Sequence, residues 1–245
     1  KEFQGKLDLA IAIFQNKYPK KFLYQLISSQ LDMDRLDYLR RDSFYTGVTE
    51  GQVNTERLIS MLNIVDDQIV VDRKGIYSVE KFIVARRLMY WQVYLHKTVL
   101  SAEFLIIKIL KRAREVFTED MPMPSALKRF IKGDLPNDYA LLLDYYSELD
   151  DHDIISGVKE WQFHSDKVLS ILCKNLLKRK LLAVVAAEKP NNENKIRQLK
   201  ENVMAEYGIS LEETEYFVFN KGITNNAYNP KKDRINLLYK DGSVV

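Results

Sequence analysis

Apolar residues recur along most of this chain at helical spacing, and that spacing sets out its elements. Residues 6–16 place Leu7, Ala10, Ile11 and Phe14 on one face, which predicts a short helix stopped by Pro19. A second helix is predicted over 21–41, running into "SFYTG", where Gly47 suits a terminating turn. Thr55 reads as the cap of a helix that begins at Glu56 and carries Leu58, Ile59, Met61 and Leu62. Gln68 to Val71, then "DRKG", then Ile76 and Tyr77 reads as a β-hairpin turned by Asp72 and Gly75. With Ser78 as N-cap, apolar positions from Phe82 to Leu110 predict one long helix reaching about Val116. "MPMP" at 121–124 is a linker, and helices follow over 125–132, 137–147, 151–160 and 165–178.

The pattern changes near Lys180. Leu181 to Ala186 is a short apolar run, expected as a strand. "NNEN" is expected to cap a helix over about 194–207, and Tyr216 to Phe219 is rich in strand formers. "DRINLLYKDGSVV" ends the chain as a strand with an Asp-Gly turn. The expected architecture is a helical body followed by a small α+β tail.

Composition adds limits. Apolar residues make up 46% and charged residues 29% of 245 residues, a soluble composition with ample material for a core. Lys and Arg number 37 against 34 Asp and Glu, a net charge of +3, which demands neither nucleic acid nor membrane as a partner. The longest apolar runs are too short to span a bilayer. The single cysteine, Cys173, excludes an internal disulfide and fits a reducing compartment, most simply the cytoplasm. The chain opens at Lys1 already in an amphipathic pattern, as expected of part of a longer protein.

One stretch carries candidate chemistry. Ser28 to Val48 interleaves Asp32, Asp34, Arg35, Asp37, Arg40, Arg41 and Asp42 with Leu, Met, Tyr and Phe. On a helix, Asp34, Tyr38 and Asp42 advance about 40° per step, and Arg35 lies about 100° from Asp34. Two carboxylates, a cation and a phenol are thus expected to line one groove and point into one cavity. The competing reading is a solvated face laced by pairs such as Asp37–Arg41, each worth only about 0.3–0.5 kcal/mol. Tyr38 and the aromatic "SFYTGV" count against that reading.

"LDMDRLDYLRRDSFYTGV" resembles the signature that follows the metal site in HD-domain phosphohydrolases. It is most similar to the branch containing the dNTP triphosphohydrolases, whose pattern is approximately D-x-D-[KR]-x-D-Y-x-x-R-D. Asp32, Asp34, Arg35, Asp37, Tyr38, Arg41 and Asp42 all fit. "ARRLMYWQVYLHKTV" at 85–99 resembles the family's long helix through Arg86, Tyr94, His96 and Lys97, and Arg73 and Lys74 fall where the family has a hairpin. The resemblance implies a mainly α fold: part of an HD-domain-like helical bundle with a small C-terminal α+β subdomain. The segments would be 1–120 as the C-terminal part of the HD-type domain, 121–180 as a helical extension and 181–245 as the tail.

The resemblance also implies roles. The family holds a divalent metal (Mn, Mg, Fe, Ni, Co or Zn) through a His, a His-Asp doublet and a later Asp, which here is Asp34. Such a metal polarises a phosphoryl oxygen and lowers the pKa of bound water. Arg35 matches a phosphate-binding cation that joins Asp34 in catalysis, and Arg86 is a second cation whose planar fork suits phosphate oxygens. Tyr38 and Asp42 match positions contacting the sugar, and Tyr94 one lining the nucleotide pocket. Arg73, Lys74, His96 and Lys97 match positions used for a regulatory nucleotide in some members. The implied partners are a nucleotide substrate and further copies of the same chain.

The chain departs from the family pattern in two ways. Leu95 stands where a member of the family has a polar residue near the base. All three histidines, His96, His152 and His164, lie downstream of Asp34. The "HD" at His152–Asp153 reads as a helix start capped by Asp150 or Asp151, not as the metal doublet. The histidine motifs are therefore expected in an N-terminal portion of the same protein outside this chain. Two rival readings are an HD hydrolase of another phosphate mono- or diester, and a degenerate HD protein that binds nucleotide without chemistry. A nucleic-acid module is disfavoured by the balanced charge. His164 reads as a capping or interface residue beside Ser165, Cys173 as a packed thiol, and the cations of "CKNLLKRK" as a solvated helix end.

Overall fold

A computed structural model of the chain describes residues 5–185, 193–224, 228 and 234–245. The fold is mainly α with one small sheet, as expected. It divides into two compact units, Lys1–His96 with Thr224–Val245, and Lys97–Ile223. The division falls after His96, and residues 224–245 group with residues 1–96.

In the first unit, α1 (Asp8–Phe14) and α2 (Lys21–Ile27) precede α3 (Met33–Thr46). The single helix expected over 21–41 is thus two, parted at Ser28–Asp32. The reason is Asp32: its backbone is extended and its carboxylate accepts the Arg35 N–H at 2.8 Å, so it caps a new helix. Gly47 ends α3 in the left-handed region at φ 71°, which a glycine adopts without strain. Leu36, Leu39 and Ser43 form the buried stripe of α3.

After α4 (Thr55–Ser60), capped by Asn54 rather than Thr55, come β1 (Leu62–Val65) and β2 (Gln68–Asp72). They pair antiparallel, Leu62 opposite Val71 and Val65 opposite Gln68. The hairpin turn is Asp66–Asp67, both at positive φ, not "DRKG". Arg73–Gly75 instead forms a 3₁₀ turn that feeds α5 (Ile76–Met89), so Ile76 and Tyr77 are helical and Ser78 is not a cap. From the tail, β3 (Asn236–Leu238) pairs parallel with β2, giving the order β1-β2-β3. The core of this unit gathers Leu31, Leu36, Leu39, Leu58, Val71, Val79, Phe82 and Met89.

The long helix expected from 78 to 116 is interrupted. After α5 the backbone widens into a π turn over Tyr90–Tyr94, with the Leu95 N–H donating to Tyr90 O at 2.7 Å, before α6 (Lys97–Glu115) begins. No proline or glycine marks the break; the apolar pattern runs through it.

The second unit packs α6, α7 (Ser125–Lys132), α8 (Tyr139–Ser147), α9 (Asp151–Trp161), α10 (Lys167–Leu177) and α11 (Glu193–Tyr207). Its core is built on Leu105, Ile109, Leu127, Val158, Trp161, Leu169 and Leu172. "MPMP" is packed, not free: Met121 is buried and the Trp161 indole N–H donates to Pro122 O at 3.0 Å. Two expected strands are absent among the described residues. Leu181–Val185 is irregular, with Leu182 O accepting from the Ser101 hydroxyl, and Ala186 lies outside the described residues, as do Asn191 and Asn192. Glu213–Tyr216 is a 3₁₀ turn followed by buried Phe217. In both places apolar residues fill the core without joining a ladder. Residues 229–233 of "NPKKDRIN" also lie outside the described residues. Among the described residues no helix is long and apolar enough to cross a membrane.

Candidate functional site

The site is built where α3, the turn before it, and the end of α5 meet within the first unit. Asp32 is fully buried at the start of α3. It accepts the Ser29 N–H at 3.0 Å and the Arg35 N–H at 2.8 Å, and its carboxylate also pairs with the Arg35 guanidinium. That carboxylate fixes both the helix start and the cation one turn on. Arg35 Nε is buried without a hydrogen-bond partner.

Arg86 comes from the buried face of α5 and is 4% exposed. Its Nη1 donates to the Gln30 side-chain oxygen at 3.0 Å and reaches the Gln30 carbonyl at 3.4 Å, while Nε has no hydrogen-bond partner. Among the described residues no ion pair of Arg86 with a carboxylate is formed. Its guanidinium lies beside the Tyr38 phenol. Burial pushes the Tyr38 phenol above its ordinary pKa, and the positive charges of Arg86 and Arg35 pull the other way. The phenol thus feels the charge of both arginines, and Arg86 also hydrogen-bonds with it.

The π turn supplies the remaining group. Tyr94 donates its phenol proton to Asp42 Oδ2 at 2.7 Å. Its ring meets Tyr38 edge-on at 6.0 Å and Tyr90 at 5.2 Å. Burial first, then the Asp42 carboxylate, hold the Tyr94 phenol far above its ordinary pKa, so it stays a donor. Asp42, Tyr94, Tyr38, Arg86 and Gln30 thus form a connected series, with Arg35 at its edge.

Asp34 stands apart from that series. It is exposed on the first turn of α3. Along α3, Asp34 is exposed while Arg35, Tyr38 and Asp42 are half-buried. A groove of about 650 Å³ runs along α3, lined by Asp37, Arg40, Arg41 and Phe44 and by residues 52–56. There Asp37 and Arg41 form the exposed i,i+4 pair expected for a solvated face. In the second unit a groove of about 640 Å³ is lined by Thr118, Asp120, Met121, His164 and Asp166 among others.

Of the regulatory positions, Arg73 lies over the Tyr239 ring at 5.6 Å and Lys74 pairs with Asp72 at 3.5 Å. His96 is exposed just after the π turn, and Lys97 opens α6. Among the described residues no group of three His, Cys, Asp or Glu side chains could hold a metal ion. His152 is exposed at the start of α9, where Asp150 caps the helix and Asp153 completes the box. His164 Nδ1 accepts the Asp166 N–H at 2.9 Å. Cys173 is buried, and burial pushes its thiol up to about 12. Gln30, the holder of Arg86, has no place in the sequence motifs, and Asp32 is matched there without its role as the partner of Arg35. Asp32 lies within the motif, so its cap spacing to Arg35 was legible; nothing in sequence joins Gln30 to Arg86, 56 residues away.

Residues 53–135 match the family model of the HD associated region. The span includes Arg73, Lys74, Arg86, Tyr94, His96 and Lys97, while Asp34, Arg35, Tyr38 and Asp42 precede it. The Bacillus subtilis protein YwfO is 37% identical over 184 residues, covering 74% of this chain and 41% of that protein. A Dictyostelium discoideum protein named deoxynucleoside triphosphate triphosphohydrolase SAMHD1 homolog is 34% identical over 101 residues, 39% of this chain and 20% of that protein. The crystal structure of a phosphohydrolase from Bacteroides thetaiotaomicron superposes with a TM-score of 0.93 at 46% identity, covering 100% of this chain and 62% of that one. The chain thus spans about two fifths of the Bacillus relative and under two thirds of the Bacteroides structure. From the matched region together with these relatives, the chain belongs to the HD superfamily of phosphohydrolases.

Proposed function

We propose that the protein to which this chain belongs is a metal-dependent phosphohydrolase of nucleotides, similar in action to a dNTP triphosphohydrolase. Water attacks the α-phosphate, and nucleoside and inorganic triphosphate leave. The observation that carries this reading is Arg86: a buried guanidinium with an unpartnered Nε and no ion-paired carboxylate among the described residues. Burying a cation is costly unless an anion compensates it, so a polyphosphate is the missing partner.

In this reading Arg86 and Arg35 bind phosphate oxygens and stabilise the charge that develops as the ester bond breaks. Asp42, oriented by the Tyr94 phenol, accepts a hydrogen bond from a sugar hydroxyl. Tyr38 packs between the cations and that carboxylate and limits the room at the sugar. A divalent ion, when bound, supplies the polarised phosphoryl oxygen and an acidified water. Asp34 fits it as a single oxygen donor; the described residues do not by themselves complete a metal site. Large exposed apolar side chains such as Trp91, Ile107 and Leu143 support assembly as a homo-oligomer. The lone buried Cys173 is compatible with a reducing, cytoplasmic setting.

The test is full-length protein with Mn²⁺, offered dNTPs, NTPs and cyclic dinucleotides, with products separated by ion exchange. Tripolyphosphate and nucleoside from dNTPs are expected. Release of orthophosphate or nucleoside monophosphate instead would move the protein to another phosphoester. Tight nucleotide binding without hydrolysis would identify a non-catalytic HD protein.

A further inference from the structure

The two arginines of the site, Arg35 and Arg86, are held differently. Arg35 is anchored by a carboxylate, Asp32, which cancels part of its charge. Arg86 is anchored by a neutral amide, Gln30, through the side-chain oxygen at 3.0 Å and the backbone carbonyl at 3.4 Å. Both anchors belong to the turn between α2 and α3. A glutamate at position 30 would have the same length and shape and would make the stronger contact with a buried cation. It would also satisfy the charge of Arg86 and leave none for a ligand. The side chain of Arg86 is only 4% exposed, and its Nε is a donor that the present arrangement leaves unsatisfied.

We infer that Gln30 is a positioning residue: it fixes the Arg86 guanidinium through an uncharged acceptor so that the full positive charge stays available to a phosphate anion. This rests on the proposed reading of Arg86 as a phosphate-binding cation. It makes folding stability and anion affinity respond in opposite directions to one isosteric change. Gln30→Glu puts a carboxylate against a buried guanidinium, which holds or raises stability, yet the same carboxylate repels the incoming anion.

Full-length wild type, Gln30→Glu, Gln30→Ala and Arg86→Ala are compared by calorimetric binding of inorganic tripolyphosphate, by thermal melting, and by kcat and KM on the preferred nucleotide. For Gln30→Glu, a melting temperature at or above wild type is expected, with tripolyphosphate affinity lowered by about tenfold or more. That loss should shrink as pH is lowered and the new carboxylate is protonated. Gln30→Ala should weaken binding less than Gln30→Glu, because it loosens Arg86 without neutralising it. A merely structural glutamine would give the reverse order and no pH-dependent recovery. If Arg86→Ala loses affinity and Gln30→Glu binds as wild type, the role of Gln30 is overturned and the phosphate site stands. If Arg86→Ala itself binds tripolyphosphate as wild type does, the phosphate reading falls and the inference with it. The Gln30→Ala arm does not decide the matter if that variant fails to fold, since the isosteric glutamate keeps an acceptor oxygen against Arg86.

Discussion

Tyr94→Phe removes one oxygen from the site and leaves the rest of the ring in place. The lost atom donates to Asp42 Oδ2 at 2.7 Å and links the π turn to α3. The edge-on ring contacts with Tyr38 and Tyr90 do not need the hydroxyl, so they survive. A hydrogen bond to a charged group contributes about 1.5–3 kcal/mol when buried; both partners here are only half-buried, which brings the expectation to about 1 kcal/mol. The pH window follows from the direction of the shift. The folded phenol titrates above its unfolded value of 10.0, so its contribution is fully present below about pH 10 and is lost as pH rises through the higher folded value. Hydrogen exchange of the full-length protein, read on peptides covering 90–96, reports the opening of the π turn directly through the Leu95 and His96 amides. Tyr94→Phe, Asp42→Asn and the double variant form a cycle, with an expected coupling of about 1 kcal/mol. Additive effects within about 0.3 kcal/mol would show that the contact does not tie the turn to α3, and the connected series from Asp42 to Gln30 would lose its first link.

Three further outcomes follow from the same coordinates. A Cβ at Gly51 would lie 2.6 Å from Met89 Sδ and 3.0 Å from Ser43 Cβ, so Gly51→Ala is expected to lower stability by about 1–3 kcal/mol in urea melts of the full-length protein; an unchanged midpoint would contradict the close approach. Metal analysis after chelation and reloading should show occupancy reduced by Asp34→Asn and untouched by His152→Ala or His164→Ala, since those imidazoles serve helix starts; loss with His152→Ala would reinstate the downstream doublet as a ligand. Cys173, buried with its thiol pushed up to about 12, is expected to react with a disulfide reagent only in denaturant, and rapid labelling of native protein would show that the core around α10 opens readily.

The helical body was legible because its signals are local. Ser125–Lys132, Asp151–Trp161 and Lys167–Leu177 appear within two residues of their expected bounds, and of the two caps read for Asp151–Trp161, Asp150 or Asp151, the structure uses Asp150. The failures share a cause: they occur where a non-local partner decides. Asp66–Asp67 forms the hairpin turn because β1 finds β2, although "DRKG" has the more conventional turn residues. Tyr216 and Phe217 have strand propensity but meet a helical core, so Tyr216 ends a 3₁₀ turn and Phe217 packs just after it. The π turn leaves no breaker in the sequence, yet it alone aims Tyr94 at Asp42. The site divides along the same line. Helical geometry alone grouped Asp34, Arg35, Tyr38 and Asp42 on α3, and the family motif gave them roles, all from neighbours in sequence. Which cation is neutralised and which is left charged depends on Asp32, three residues from Arg35, and on Gln30, far from Arg86 in the chain. Two arginines that look alike as letters are therefore unlike as ligands, and the difference lies in the turn that precedes the helix.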